Sequence, residues 1–403
     1  MNAVGIDVSK GKSMVAVMRP FGEVVISPFE VTHTEKELAA LAKRLLRLSG
    51  ETKVVMECTG SYYEPIANAL RDAGLFVSAV HAKLIYNYDN DSIRRIKTDK
   101  ADAVKIANYA IDKWLKLSPY VPLEEIRQQL RAFSRQYSKY AKIKTMLRNN
   151  LISLTDRTFP GVNELFSSQP RKKDGHEKWA DFTLKFWHCE CVSSLTVKAF
   201  SERYHKWCKK VGYRFGRKKA ETIYYAAIAC ANVMPKNEST KILVNQAVLQ
   251  LNTIEETMAI IFTEMRRLAQ SLPEYQVVMT FYGVGELLGS QLIAEIGDVR
   301  RFANKGKLVS FAGLETPPWQ SGKFESTEQT VSKKGSPHLR CTLFKIMDVV
   351  LKNAPANEPV FQFLDRKRAE KKHYYCYMTA GCAKFLKIYY ARVMEFLAAQ
   401  ESE

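Results

Sequence analysis

Four carboxylates are the residues whose type and spacing could do chemistry in this chain. Asp99 and Asp102 stand three apart in Lys97-Thr98-Asp99-Lys100-Ala101-Asp102-Ala103. The segment reads as helix, so both fall on one face. Ala103, Ile106, Ala107 and Ala110 continue it as an apolar stripe suited to packing on a sheet. Two like charges one turn apart repel unless a cation lies between them, and hard ions such as Mg²⁺ or Mn²⁺ favour clustered carboxylate oxygens. Taken alone, the stretch is also explained as a solvated Lys/Asp helix start. Asp7 and Glu57 add weight because each ends an apolar, β-type run. Acids at strand ends are common in turns, so each is weak evidence and the set is stronger.

The elements that would position these acids follow from periodicity. Ala3–Val8, Ser13–Met18 and Glu23–Ile26 read as a meander of three strands. A helix over Glu35–Leu48 follows, with Thr34 as N-cap and Gly50 as stop. Then come a strand at Lys53–Glu57, a helix from Tyr63 to Ala73, a strand at Leu75–His81 and the helix of Asp99 and Asp102. That order is the ribonuclease H-like plan, a mixed α/β sheet. In it, acids ending the first and fourth strands approach each other and an acid pair from a later helix completes the set.

Charge divides the chain of 403 residues, a length that suggests two or three domains. The net charge is +19, yet residues 1–112 are close to neutral, while residues 113–272 carry 28 basic against 14 acidic side chains. Such a surplus points to a polyanionic partner, nucleic acid above all. The eight cysteines read as reduced thiols of a cytoplasmic protein, which a DNA partner would make nucleoid-associated. The start, Met-Asn-Ala-Val-Gly-Ile-Asp, goes straight into a strand pattern without a leader-like run. No stretch approaches the ~20 apolar residues of a membrane span.

The expected domains are 1–115, carrying the acids, a basic region 116–272 and a C-terminal domain 273–403. Apolar residues recur every three or four positions over Leu123–Leu154 and again over Lys241–Leu272, which suggests an antiparallel coiled-coil hairpin. The insert between them, about 161–235, mixes Arg171-Lys172-Lys173 and Arg214-Phe215-Gly216-Arg217-Lys218-Lys219 with aromatic residues. Rings beside cations suit irregular or single-stranded RNA, although rings at helical spacing are more often core. His188, Cys189, Cys191, His205 and Cys208 could offer metal ligands, but their spacing matches no zinc pattern. Farther on, Gly283-Val284-Gly285 joins two helical stretches and reads as a helix–hairpin–helix turn, where amides could bind a phosphate. Tight packing of two helices would produce the same turn. Ser321 lies in Pro317-Pro318-Trp319-Gln320-Ser321-Gly322, where a serine is ordinarily a turn residue. After Asn353 two more helices are expected.

Gly5-Ile6-Asp7-Val8-Ser9-Lys10, Glu57-Cys58-Thr59-Gly60-Ser61-Tyr62 and the Lys97–Ala103 block together resemble the signatures of DEDD transposases of the insertion-sequence-110 type, relatives of the Piv invertase. The actin/hexokinase phosphate loop also begins Gly-Ile-Asp, but it usually has Gly where Ser9 stands, and no further nucleotide motif follows. The resemblance implies a fold like that of the RuvC resolvase for the first domain. It implies Mg²⁺ or Mn²⁺ on Asp7, Glu57, Asp99 and Asp102, and a structured guide (bridge) RNA held in part by the basic region. The run from about 275 to 345 resembles the second transposase domain of that family, in which the catalytic serine matches Ser321. Ser326, Ser332 and Ser336 are its competitors. Lys10, Lys97, Lys100, Gly283, Gly285, Lys333, Lys334 and Arg340 are the expected nucleic-acid contacts. The implied activity is RNA-guided cutting and rejoining of DNA through a phosphoserine link in a dimer or tetramer. Two other readings stand beside it: a metal-dependent junction nuclease without a covalent intermediate, and a non-catalytic nucleic-acid-binding protein. Pro317-Pro318, Glu325 and Glu328 depart from the more basic loop usual in the family.

Overall fold

The computed structural model describes residues 1–58, 60–88, 98–316, 320–321, 324–325 and 331–402, and the chain divides into two compact units, Met1–Pro122 and Leu123–Glu403. The first unit contains β1 (Asn2–Ser9), β2 (Lys12–Met18), β3 (Val24–Thr32), α1 (Glu35–Leu46), β4 (Thr52–Glu57), α2 (Glu64–Asp72), β5 (Phe76–Val80), α3 (Ala82–Tyr86) and α4 (Asp99–Asp112). Its described residues form a five-stranded sheet of order β3-β2-β1-β4-β5, with β1 antiparallel to β2 and parallel to β4. Side chains alternate across β1 and β4, so each strand feeds two layers. Val4, Ile6, Val54 and Met56 pack with α1 and α2 on one face. Ala3 and Val55 pack with Ile106 and Ala110 of α4 on the other.

The third strand runs farther than periodicity indicated. It continues through Pro28 because β3 is an edge strand, where the missing N–H costs no ladder bond. Its pairing with β2 slips between Val15↔Phe29 and Val17↔Ile26, leaving Ser27 and Pro28 in a bulge. The expected cap is present, since Thr34 accepts from the Glu37 amide; at the start of α4, Thr98 also caps, accepting from the Ala101 amide.

The second unit is built on two long helices, α5 (Glu125–Thr158) and, after α6 (Lys178–Lys185), α7 (Glu190–Ser193), α8 (Val197–Val211) and α9 (Arg217–Ile228), α10 (Glu238–Gln270). Helices α5 and α10 are antiparallel neighbours: Arg127 near the start of α5 pairs with Glu274 just beyond α10, and Lys144 pairs with Glu255 at 2.7 Å. The insert makes its own core against this stem. Trp179, Phe182, Phe186, Phe200, Tyr204 and Trp207 are buried together with Leu151, Val248 and Leu251. Most of the rings interleaved with the basic residues therefore serve packing, while Tyr225 remains exposed. The chain continues through α11 (Tyr275–Val278), α12 (Glu286–Ile296), α13 (Lys305–Phe311), the two-residue strands β6 (Gln320–Ser321) and β7 (Phe324–Glu325), α14 (Pro337–Asn353), α15 (Pro359–Ala369) and α16 (Tyr374–Ser402). Leu292, Leu343, Ile346, Leu386 and Tyr389 form a second core that also takes Leu130 of α5 and Met265 of α10. Among the described residues no helix is long and apolar enough to cross a membrane.

Candidate active site

The acids of the first unit come from three elements. Asp7 shares the face of Ala3 and Gly5 on β1, and Glu57 shares the face of Val55 on β4. The parallel register that sets Ile6 opposite Met56 brings their two strand ends side by side. Helix α4 crosses this face. Its apolar stripe, Ala103, Ile106, Ala107 and Ala110, is buried, and its first turn carries Asp99 and Asp102. Two carboxylates in a first turn are favoured by the helix dipole. The crossing is close because β1 has no side chain at Gly5: a Cβ there would stand 2.1 Å from the Ala103 carbonyl oxygen and 2.3 Å from the Ala107 nitrogen.

Electrostatics register the gathering. Burial first, and then the charges of Asp102, Asp99 and Glu57 in that order, together push the Asp7 carboxyl up to about 6. The donor set is thus oxygen-rich and anionic, with a charge surplus that a hard divalent cation would relieve. The residues fit such an ion by chemistry, although among the described residues no three His, Cys, Asp or Glu side chains are already arranged to hold one. Lys12, whose ammonium is held charged chiefly by Glu30 at 2.7 Å, also feels Asp99. Periodicity gave no reason to single it out. Lys10 and Lys100 are exposed, and Lys97 lies outside the described residues.

In the second unit, Ser321 is the last residue of β6, paired with Phe324 of β7. Ser326, Pro317, Pro318, Gly322 and Glu328 lie outside the described residues. The base of this loop is closed by two strips of backbone. The Ser332, Lys333 and Ser336 amides donate to the Glu315, Gly313 and Phe311 carbonyls at 2.9, 3.1 and 2.8 Å. The strips touch because both carry glycine: a Cβ on Gly335 would lie 2.1 Å from the Phe311 oxygen. Arg340 fastens the same base, donating from Nη1 to the carbonyls of Ala312 and Gly335 at 2.9 and 3.1 Å, and Lys333 and Lys334 are exposed beside it.

Two competitors for Ser321 have other work. Ser336 caps α14, accepting from the Leu339 amide, and donates to Glu295 at 3.1 Å. Ser332 accepts from the Lys334 amide. Glu295 is buried and takes two bonds from Arg135 of α5, at 3.0 and 3.3 Å, so an ion pair joins the stem to the foot of the loop. Residues so far apart in sequence leave no local signal. Gly283 (φ 80°) precedes α12 and Gly285 is its N-cap, with Glu286 of the first turn paired to Arg266 at 3.3 Å. The element before these glycines, α11, is a single turn.

Comparison with known proteins covers both regions. A DEDD transposase family model of the IS110 type matches residues 4–160, and the model of the transposase IS116/IS110/IS902 family matches residues 275–361. Residues 161–274 lie between the two matched ranges. An uncharacterized 44.8 kDa protein of insertion element IS116 from Streptomyces clavuligerus is 23% identical over 330 residues, 79% of this chain and 77% of its own length. A Sinorhizobium fredii protein described as a candidate transposase is 35% identical over 83 residues, 21% of this chain and 20% of its own.

Proposed function

We propose that this chain, which belongs to the IS110-type transposases, moves an insertion element by cutting and rejoining DNA through a transient phosphoserine at Ser321. The transposase activity comes with the family; the serine chemistry and the roles of individual residues are our reading. The observation that carries it is the quartet Asp7, Glu57, Asp99 and Asp102, gathered on one face of the sheet and electrostatically coupled at Asp7.

In this reading the four carboxylates hold Mg²⁺ or Mn²⁺, in line with the general dependence of DEDD transposases on a divalent ion. Such an ion supplies Lewis-acid stabilisation of phosphoryl charge when bound. Asp7 and Glu57 are fixed by strands and Asp99 and Asp102 by a capped helix turn, so the acid set is positioned before DNA arrives. The Ser321 hydroxyl attacks phosphorus. Its Oγ–P bond forms as the bridging P–O bond breaks, its proton is given up to solvent, and the departing sugar oxygen takes one back. One phosphodiester replaces another, so bond energy is conserved for rejoining and no nucleotide is consumed. The closed loop base at 311–315 and 332–336 supports a placed nucleophile, and the capping role of Ser336 favours Ser321 over it.

The reading extends to a structured guide RNA on the basic region 113–272, to a RuvC-like first domain, a coiled-coil stem, expected domains 1–115, 116–272 and 273–403, and a dimer or tetramer. Lys10, Lys97, Lys100, Gly283, Gly285, Lys333, Lys334 and Arg340 are its proposed nucleic-acid contacts. The decisive experiment is denaturing electrophoresis of a cleavage reaction with end-labelled element DNA. A protein-linked DNA band that maps to Ser321 supports the reading. Cleavage without any such band would instead favour the metal-dependent nuclease. Mixed oligomers of Asp7→Ala and Ser321→Ala chains test whether copies share a site: recovered activity supports sharing.

A further inference from the structure

A groove of about 780 Å³ in the insert gathers Lys185 from the end of α6, Arg203, Lys206 and Lys210 from α8, and Lys236 from the segment before α10. All five are exposed, and none has an ion partner among the described residues. An acid, Asp181, also lines the groove, but it is buried and its oxygens accept from the Tyr213 hydroxyl at 2.6 Å and from Asn252 Nδ2 at 2.8 Å. A protein that holds five uncompensated cations round one groove pays a repulsion that a polyanion removes.

We propose that this groove grips the phosphate backbone of duplex DNA, without reading sequence. Arg203, Lys206 and Lys210 follow one face of α8 at intervals of three and four residues, about 10 Å along the helix. About three phosphates of one strand pass in that length, at ~3.4 Å each, so charges match in number and spacing. The aromatic floor explains why a duplex is the occupant. Trp207 is only 8% exposed and packs edge-on and stacked within the insert core, so it offers no free face to an unstacked base. Recognition falls to the cations alone, and cations alone read backbone. DNA is the partner that a transposase brings, and the groove lies outside both family-matched ranges.

The inference rests on this chain acting on DNA and is independent of the serine chemistry. The test uses the full chain carrying Arg203→Gln, Lys206→Gln and Lys210→Gln, titrated against unrelated DNA duplexes over a range of salt. The slope of log affinity against log salt should become shallower by about 3, near 1 for each lost contact, and equally for every sequence. Thermal melting should be unchanged, since all three side chains are exposed. A charge-matched variant at exposed positions of α1 and the residue after it, Lys36→Gln with Lys43→Gln and Arg47→Gln, should keep the parent slope, as should Ser321→Ala. An unaltered slope in the α8 variant overturns the proposal. So does an equal loss in the α1 variant, which would make the effect one of net charge, or a loss confined to RNA duplexes.

Discussion

Gly5 of β1 and Ala103 of α4 meet backbone to backbone: a Cβ on Gly5 would lie 2.1 Å from the Ala103 carbonyl oxygen. That contact sets the depth at which α4 lies on the sheet, and so the height of Asp99 and Asp102 over Asp7. Neither partner is a flexible side-chain end that could turn aside. Gly5→Ala is therefore expected to destabilise the protein by about 3 kcal/mol in urea unfolding, an overpacking cost at the upper end of its usual range. It should also abolish DNA cleavage at temperatures where the variant is still folded. Wild-type stability together with wild-type cleavage would show that the contact is not needed.

Asp7 is costly to the fold when charged. Its carboxyl is raised by burial, then by Asp102, Asp99 and Glu57. A raised acid pKa means that stability is complete below the ordinary value and is lost as pH rises through about 6. Asp7→Asn should thus stabilise the metal-free protein at pH 7.5 by about 1–2 kcal/mol, a figure discounted for partial exposure. Added Mg²⁺ should raise the melting temperature of the wild type and leave that of the variant nearly unmoved, while activity is lost. Calorimetry with and without the ion decides it, and equal stabilisation of both proteins by Mg²⁺ counts against the quartet as its site.

The serines separate capping from chemistry. Ser336 accepts from the Leu339 amide and donates to Glu295, so Ser336→Ala should cost about 1 kcal/mol, the usual loss of an N-cap. Covalent capture of DNA should persist in it. Ser321→Ala should melt as the parent does and form no adduct. The reverse pattern of adducts on denaturing gels would move the nucleophile to Ser336.

The stem contains a second titrating acid. Glu255 of α10 is buried, and burial pushes it up to about 6 against the pull of Lys144. By the same sign, its contribution is complete below about 4.5 and fades as pH rises through about 6. Glu255→Gln should remove that fall, worth about 2 kcal/mol between pH 4.5 and pH 7.5. Urea titrations of both proteins at the two pH values measure it, and parallel stability curves would refute it.

Local patterns account for what was legible in the amino-acid sequence. Apolar runs placed β1 and β4, alternation placed β2, spacing of three and four placed α4 and both stem helices, and Thr34 marked the start of α1, because each signal lies within a few residues. The same locality put Asp7, Glu57, Asp99 and Asp102 at element ends and separated a near-neutral first region from a basic one. Tertiary structure decided what depends on residues distant in the chain. It put Gly5 under α4, and it raised Asp7 through burial and then through carboxylates from two other elements. It turned Trp207 and Tyr204 into core, since a periodic ring stripe does not say what will cover it. It gave Arg340 the task of holding the carbonyls of Ala312 and Gly335. It joined Glu295 to Arg135 across 160 residues and to Ser336 across 41. Charge and periodicity are properties of a segment; burial and partnership belong to the packed chain, and the raised carboxyl of Asp7 is made by those.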